Sequence, residues 1–193
     1  LALPTLGGQQ GTAAPATPSW VEQSNQNAQV LIESIARFAP EGAGRLGVDG
    51  LDDQILDLKP GFIDRQKQAT KESIATLQGR LTKTTDPKVR QDLEILIGAA
   101  QDTIQGIELG EKYELPYINV TEIAFGGLQA LLDDQIPPER RAKALIRLKR
   151  YTGLEAGYTP LTTLAEQYTR TKLQQSSRLG PIRAELEKDL ATA

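Results

Sequence analysis

An acidic residue followed by proline, Asp86-Pro87, opens a run in which Val89, Leu93, Leu96, Ile97, Ala100, Ile104 and Ile107 recur at helical spacing. At about 100° of rotation per residue, these side chains fall within an arc of roughly 100°, the apolar stripe of a long amphipathic helix whose cap and first-turn proline are already in place. A stripe of that length cannot stay in water and must be covered by other elements. Ile95 lies off the stripe, so the back of the same helix is expected to touch something as well.

Further stripes at the same period surround it. Ser19-Trp20-Val21-Glu22 has the form of a capping box, and Trp20, Ala28, Leu31, Ile35 and Phe38 follow on one face until Pro40, Gly42 and Gly44 interrupt. The stretch 40–60 reads as a long connector, with turn chemistry at 47–50 and 59–61 around a short apolar alternation at Ile55, Leu56 and Leu58. A Gln- and Lys-rich helix over 62–81 carries Ile63, Thr70, Ile74, Leu77 and Leu81. Pro116 separates the long helix from a segment over 119–132, whose Gly126-Gly127 pair either permits a close crossing or breaks it. Pro137-Pro138 opens the next helix, with Ala142, Leu145, Ile146 and Leu148 as its apolar residues and Gly153 and Gly157 as its stop. Pro160 begins another with Leu161, Leu164, Ala165 and Tyr168, and Gly180-Pro181 precedes a last stripe of Ile182, Leu186 and Leu190. No segment alternates convincingly with period two. The expected fold class is all-α, a multi-helix array or bundle, with the connector leaving room for a crossover.

With 193 residues and 39% hydrophobic side chains, the chain can bury about 70% of its unfolded surface without staples. It contains no Cys and no His. A disulfide framework, a thiolate site, a cysteine nucleophile and an imidazole base or zinc ligand are therefore absent from these residues. A net charge of −3 argues against bulk nucleic-acid binding, and no apolar run reaches the length of a membrane span. The first 19 residues carry no charge, three Pro and three Gly, and the chain contains no Met. Residues 1–19 are accordingly expected to be a flexible exported linker or signal-peptide remnant ahead of a helical region over 20–193.

Side chains that bear chemistry are few. Arg140, Lys143, Arg147 and Arg150 form a cationic row that could hold an anion, though pairing with an internal acidic surface is the plainer expectation; Asp102, Glu108, Glu111 and Glu114 are the candidate partners. Asp52-Asp53 and Asp133-Asp134 lack the spacing of a calcium loop and read better as caps or solvating groups. Tyr113, Tyr117, Tyr151 and Tyr158 concentrate four of the five tyrosines within 113–158, and suit a cleft wall or half-buried packing. With Arg140 and Arg147 they are the candidate substrate-binding residues. No catalytic and no metal-ligating residue can be nominated. Asn119-Val120-Thr121 matches a glycosylation acceptor, and no phosphate-cradling or dinucleotide motif is present.

The runs ARFAPEGAGRLGVDGLDDQILDLKPG at 36–61, DPKVRQDLEILIGAAQD at 86–102, ELPYINV at 114–120, LLDDQIPPERRAKALIRLKRYTG at 131–153 and LEKDLA at 186–191 resemble the N-terminal part of bacterial domain-of-unknown-function family 885. Coverage is about residues 20–193. The resemblance implies a helical N-terminal lobe of a larger zincin-like metallopeptidase, a hydrolase that is exported to the periplasm or beyond, often as a lipoprotein. Zinc is the implied cofactor of the complete protein, held by a His-Glu-x-x-x-His motif in its C-terminal half. None of its ligands can be carried onto this His-free chain, which is expected to be inactive alone and incomplete without that catalytic portion. The implied partners are the C-terminal portion of the same protein and a peptide substrate. A stand-alone helical binding module without catalysis is the competing expectation.

Overall fold

A computed structural model of the chain describes residues 18–45, 47–174, 179–181 and 183–192. Of the expected linker over 1–19, residues 1–17 lie outside the described residues, as does the stripe residue Ile182, and Ser19 already belongs to the first helix. The elements are α1 (Ser19–Phe38), α2 (Pro40–Arg45), α3 (Phe62–Leu81), α4 (Pro87–Tyr113), α5 (Val120–Leu132), α6 (Pro138–Arg141), α7 (Lys143–Thr152), α8 (Leu161–Leu173) and α9 (Arg183–Thr192). Among the described residues there is no strand, and the expected all-α, multi-helix array is what the chain forms. A lone parallel bridge joins Glu114 to Leu179.

Helix α4 is the axis of the first half. Asp86 caps it by accepting from the amides of Lys88 at 2.8 Å and Val89 at 3.4 Å, and Pro87 occupies the first turn. Its stripe delivers Val89, Leu93 and Ile97 into a cluster with Leu77 of α3, flanked by Trp20, Val30 and Leu31 of α1. The three helices pack pairwise. Ile95, expected to be covered, is 61% exposed. At the start of α1 the capping box does not form: the cap position falls on Pro18, with no side-chain hydrogen bond, and Ser19 is already helical.

The second half assembles α5, α7 and α8 around Leu58, Tyr151, Leu161 and Ala165. The Gly126-Gly127 pair does not break α5. Instead Gly127 is the close crossing: a Cβ there would collide with the Tyr151 hydroxyl and sit 3.2 Å from Glu41 Cγ. Two expectations are corrected. The connector over 40–60 begins as helix α2, which supplies the buried Glu41. On α7 the inward face is Ala144, Arg147 and Tyr151, while Ala142, Leu145 and Leu148 are exposed. The inversion has a physical cause, since a guanidinium that donates to two main-chain carbonyls is buried more favourably than a leucine that would leave those carbonyls without donors.

Candidate functional site

The loop between α2 and α3 is held in place by the cationic row. Arg140 grips Asp52 with two bonds, Nε to Oδ2 at 2.8 Å and Nη2 to Oδ1 at 2.9 Å. Lys143 Nζ reaches Asp53 Oδ2 at 3.2 Å, and Arg150 Nη1 donates to the Asp53 carbonyl at 2.6 Å while lying 3.3 Å from its carboxylate. Arg147, 3% exposed, donates to the carbonyls of Gly127 at 2.9 Å and Leu51 at 2.6 Å. From the other side, Glu41 Oε1 accepts from the Leu56 amide at 2.9 Å and from the Tyr151 hydroxyl at 2.7 Å. The acidic partner of the row is thus Asp52-Asp53, not the Glu108 to Glu114 stretch. Its bond to Arg140 holds the Asp52 carboxyl below the ordinary carboxylate range, against the opposing effect of burial.

So fixed, the loop aims Leu56 and Leu58 at a cleft of about 640 Å³. Phe62 and Ile63 enter it from the start of α3, Ile107 and Glu111 from the end of α4, and Glu122 and Ile123 from the start of α5. The non-helical residues 116–119, Tyr168 of α8 and Asp189 of α9 complete its lining. Phe62 meets Tyr168 edge to face, with ring centroids 4.9 Å apart. Glu111 lies 2.7 Å from Lys67 and 3.4 Å from Lys172. The Glu111 bond raises the Lys67 pKa above the ordinary ammonium value. Tyr117 donates its phenolic hydrogen to Asp189 Oδ2 at 2.8 Å, which pushes its pKa up.

Of the six residues nominated for substrate binding, Tyr117 lines this cleft. Tyr113 ends α4 as an exposed ring with Lys112 Nζ 4.9 Å from its centroid. Tyr158 lies under the Arg150 guanidinium, 5.0 Å from the ring centroid, at a separate hollow of about 380 Å³. Arg140 is engaged by Asp52, while Arg147 and Tyr151 face the interior and position the loop instead of meeting solvent. Sequence reasoning did not nominate Phe62, Ile107, Glu111, Glu122 or Asp189. Only the apolar alternation Ile55, Leu56 and Leu58 inside a turn-rich connector signalled a wall. Asn119 of the glycosylation pattern has a local structural role, capping α5 by accepting from the Glu122 amide at 3.0 Å.

Zinc does not fit these residues. The chain has neither His nor Cys, and among the described residues no three Asp or Glu side chains converge as a metal-holding group. Nor is any described helix long and apolar enough to cross a membrane. No family model, no curated protein and no solved structure matches the chain. The likeness to family 885 therefore stands on the residues quoted for it alone.

Proposed function

We propose that the chain is the non-catalytic, substrate-contacting lobe of an exported bacterial zinc peptidase, periplasmic or extracellular, and that the apolar cleft over Leu58, Phe62 and Ile107 contacts the peptide. The zinc-bearing residues then belong to a C-terminal catalytic portion of the same protein. The observation that carries this reading is the cleft itself. Its lining surface is mostly apolar, with Glu111, Glu114, Glu122, Asp189 and Asn119 as its polar members, and its volume falls in the few-hundred to roughly 1,000 Å³ range of ligand sites. The long-range hydrogen bonds to loop residues 51–56 support it further, because they place Leu56 and Leu58 on a rigid frame, as a binding wall requires.

The test is kinetic. In the complete protein, Ile107→Gln is expected to raise KM for a peptide about tenfold with kcat little changed, the signature of lost uniform binding. A native preparation should also contain a companion sequence with His-Glu-x-x-x-His. A lone, well-folded 21.0 kDa species that hydrolyses nothing and gains no activity from that companion would support the stand-alone binding module instead.

A further inference from the structure

The cleft adjoins a second hollow of about 460 Å³, and Leu58, Phe62, Ile63, Glu111 and Tyr168 line both. Residues common to two hollows form the partition between them. Beyond it the second hollow continues over Leu164, Gln167 and Thr171 of α8 and over Pro60 and Asp64, none of which lines the first. Four of the five shared residues are apolar or aromatic. Phe62 and Tyr168, edge to face within the partition, stack its two rings at the boundary.

Phe62 is held firmly in that position. Gly61 turns the chain at φ 76°, where a side chain would be strained, and Phe62 follows as the first residue of α3. Arg65, one turn on, donates to Asp57 Oδ2 at 2.7 Å and to the Pro60 carbonyl at 2.6 Å, which clamps the turn ahead of the ring. The partition is also balanced in charge. Glu111, its charged member, lies 2.7 Å from Lys67 and 3.4 Å from Lys172, and Lys67 lies 3.2 Å from Asp64. These groups alternate in sign and sum to zero, so an uncharged, apolar occupant is the one that complements the partition.

Spacing then bears on what the occupant is. Groups resting on the two sides of one side chain stand about 7–8 Å apart, since each van der Waals contact takes roughly 3.5–4 Å. Alternate residues of an extended peptide point the same way and repeat at about 7 Å. We propose that the two hollows are paired subsites for one extended peptide, which places apolar side chains i and i+2 on either side of Phe62. This assignment rests on the peptide-contacting reading of the cleft and adds to it the second subsite, on α8. Phe62 is the divider that sets the spacing of the two side chains.

Calorimetric titration of the 193-residue chain with four capped tripeptides tests it: acetyl-Phe-Ala-Phe-amide, acetyl-Phe-Ala-Ala-amide, acetyl-Ala-Ala-Phe-amide and acetyl-Phe-Phe-Ala-amide. The Phe-Ala-Phe peptide should bind about tenfold tighter than either peptide with one Phe, because a second aromatic side chain is buried. Adjacent phenylalanines point to opposite sides of an extended chain, so Phe-Phe-Ala should bind no tighter than a single Phe. Thr171 is exposed on α8 and lines the second hollow alone of the two, so Thr171→Trp should fill that hollow. It should bring Phe-Ala-Phe down to the affinity of the single-Phe peptides while leaving theirs unchanged, and Gln167→Trp should act alike. The comparison of peptides on the wild-type chain decides the matter even where a tryptophan variant fails to fold. Equal affinity for Phe-Ala-Phe and the single-Phe peptides overturns the paired subsites and leaves a peptide-contacting cleft in place. Equal affinity for Phe-Phe-Ala and Phe-Ala-Phe overturns the spacing set by Phe62, and a tenfold preference that survives in well-folded Thr171→Trp and Gln167→Trp overturns the subsite on α8. If no peptide binds, both this proposal and the reading beneath it fall.

Discussion

Leu93 on α4 and Arg147 on α7 are buried almost equally, at 0% and 3% exposure, on helices in opposite halves of the molecule. Leu93 sits in an apolar cluster: Leu77, Val89 and Ile97 close on it, and the partly buried Trp20, Leu31 and Ile74 ring it. Around Arg147 the neighbours are main-chain carbonyls, one of them on Leu51, 96 residues away in sequence. Tyr151, one turn on, bonds to Glu41 across 110 residues. The first half is held chiefly by area removed from water, supplemented by cross-helix bonds from Arg80 to Asn27 and from Lys67 to Glu111. The second half is stitched by directional polar bonds, which hold one arrangement of loop 47–61 and of the cleft wall it carries.

That contrast can be broken at either end, and the largest effect should come from the apolar half. Leu93→Ala removes a fully enclosed side chain from a cluster with little freedom to collapse, so unfolding free energy should fall by about 3–5 kcal/mol. The loss should be nearly independent of salt, as read by denaturant titration at two ionic strengths. Equal loss in a salt-sensitive manner would contradict a core held by area alone.

Arg147→Met keeps most of the volume but leaves the Gly127 and Leu51 carbonyls without their donor. A loss of about 2–3 kcal/mol is expected from hydrogen bonds of a charged group, together with faster amide exchange in 51–58. If Met is tolerated without cost and the loop stays protected, the stitching account of the second half is wrong.

Asp52→Asn should have the smallest effect, about 1 kcal/mol, because the ion pair with Arg140 is partly solvated. Its sign with pH is definite. The folded-state pKa of Asp52 lies below its unfolded value, so its contribution is fully present above the unfolded pKa near 4 and is lost as pH falls through the folded value. Stability curves of wild type and Asp52→Asn should therefore converge in acid and separate toward neutral pH. Parallel curves across that range would show that the pair contributes nothing to folding.

The two halves also differ in how much of them can be read along the chain. The helix over 62–81 and the start of the long helix at Asp86-Pro87 follow from stripe, cap and proline, and the structure places α3 and α4 there. Leu161, Ala165 and the half-buried Leu164 and Tyr168 likewise lie where the period puts them. The face of α7 could not be read this way. Ranking residues by hydropathy turns Leu145 and Leu148 inward, whereas the carbonyls waiting for Arg147 come from α5 and from the α2–α3 loop. Tyr117 was legible as an aromatic handle, but its partner Asp189 sits 72 residues on, in a helix whose Leu190 is 78% exposed.

By itself, then, the order of residues determined an all-α chain, most of its helix boundaries and the exclusion of imidazole and thiolate chemistry, because periodicity, capping and composition are local or additive properties. Tertiary structure decided that Asp52-Asp53, rather than the glutamates of α4, satisfies the cationic row, that Gly127 is the crossing point, and that Leu58, Phe62, Ile107, Tyr117 and Asp189 share one cleft. Each of those outcomes is a choice of partner between segments tens of residues apart. Such choices are settled by which buried polar groups can be paired at once in a packed core, a condition on all the elements together that no single stretch of the chain carries.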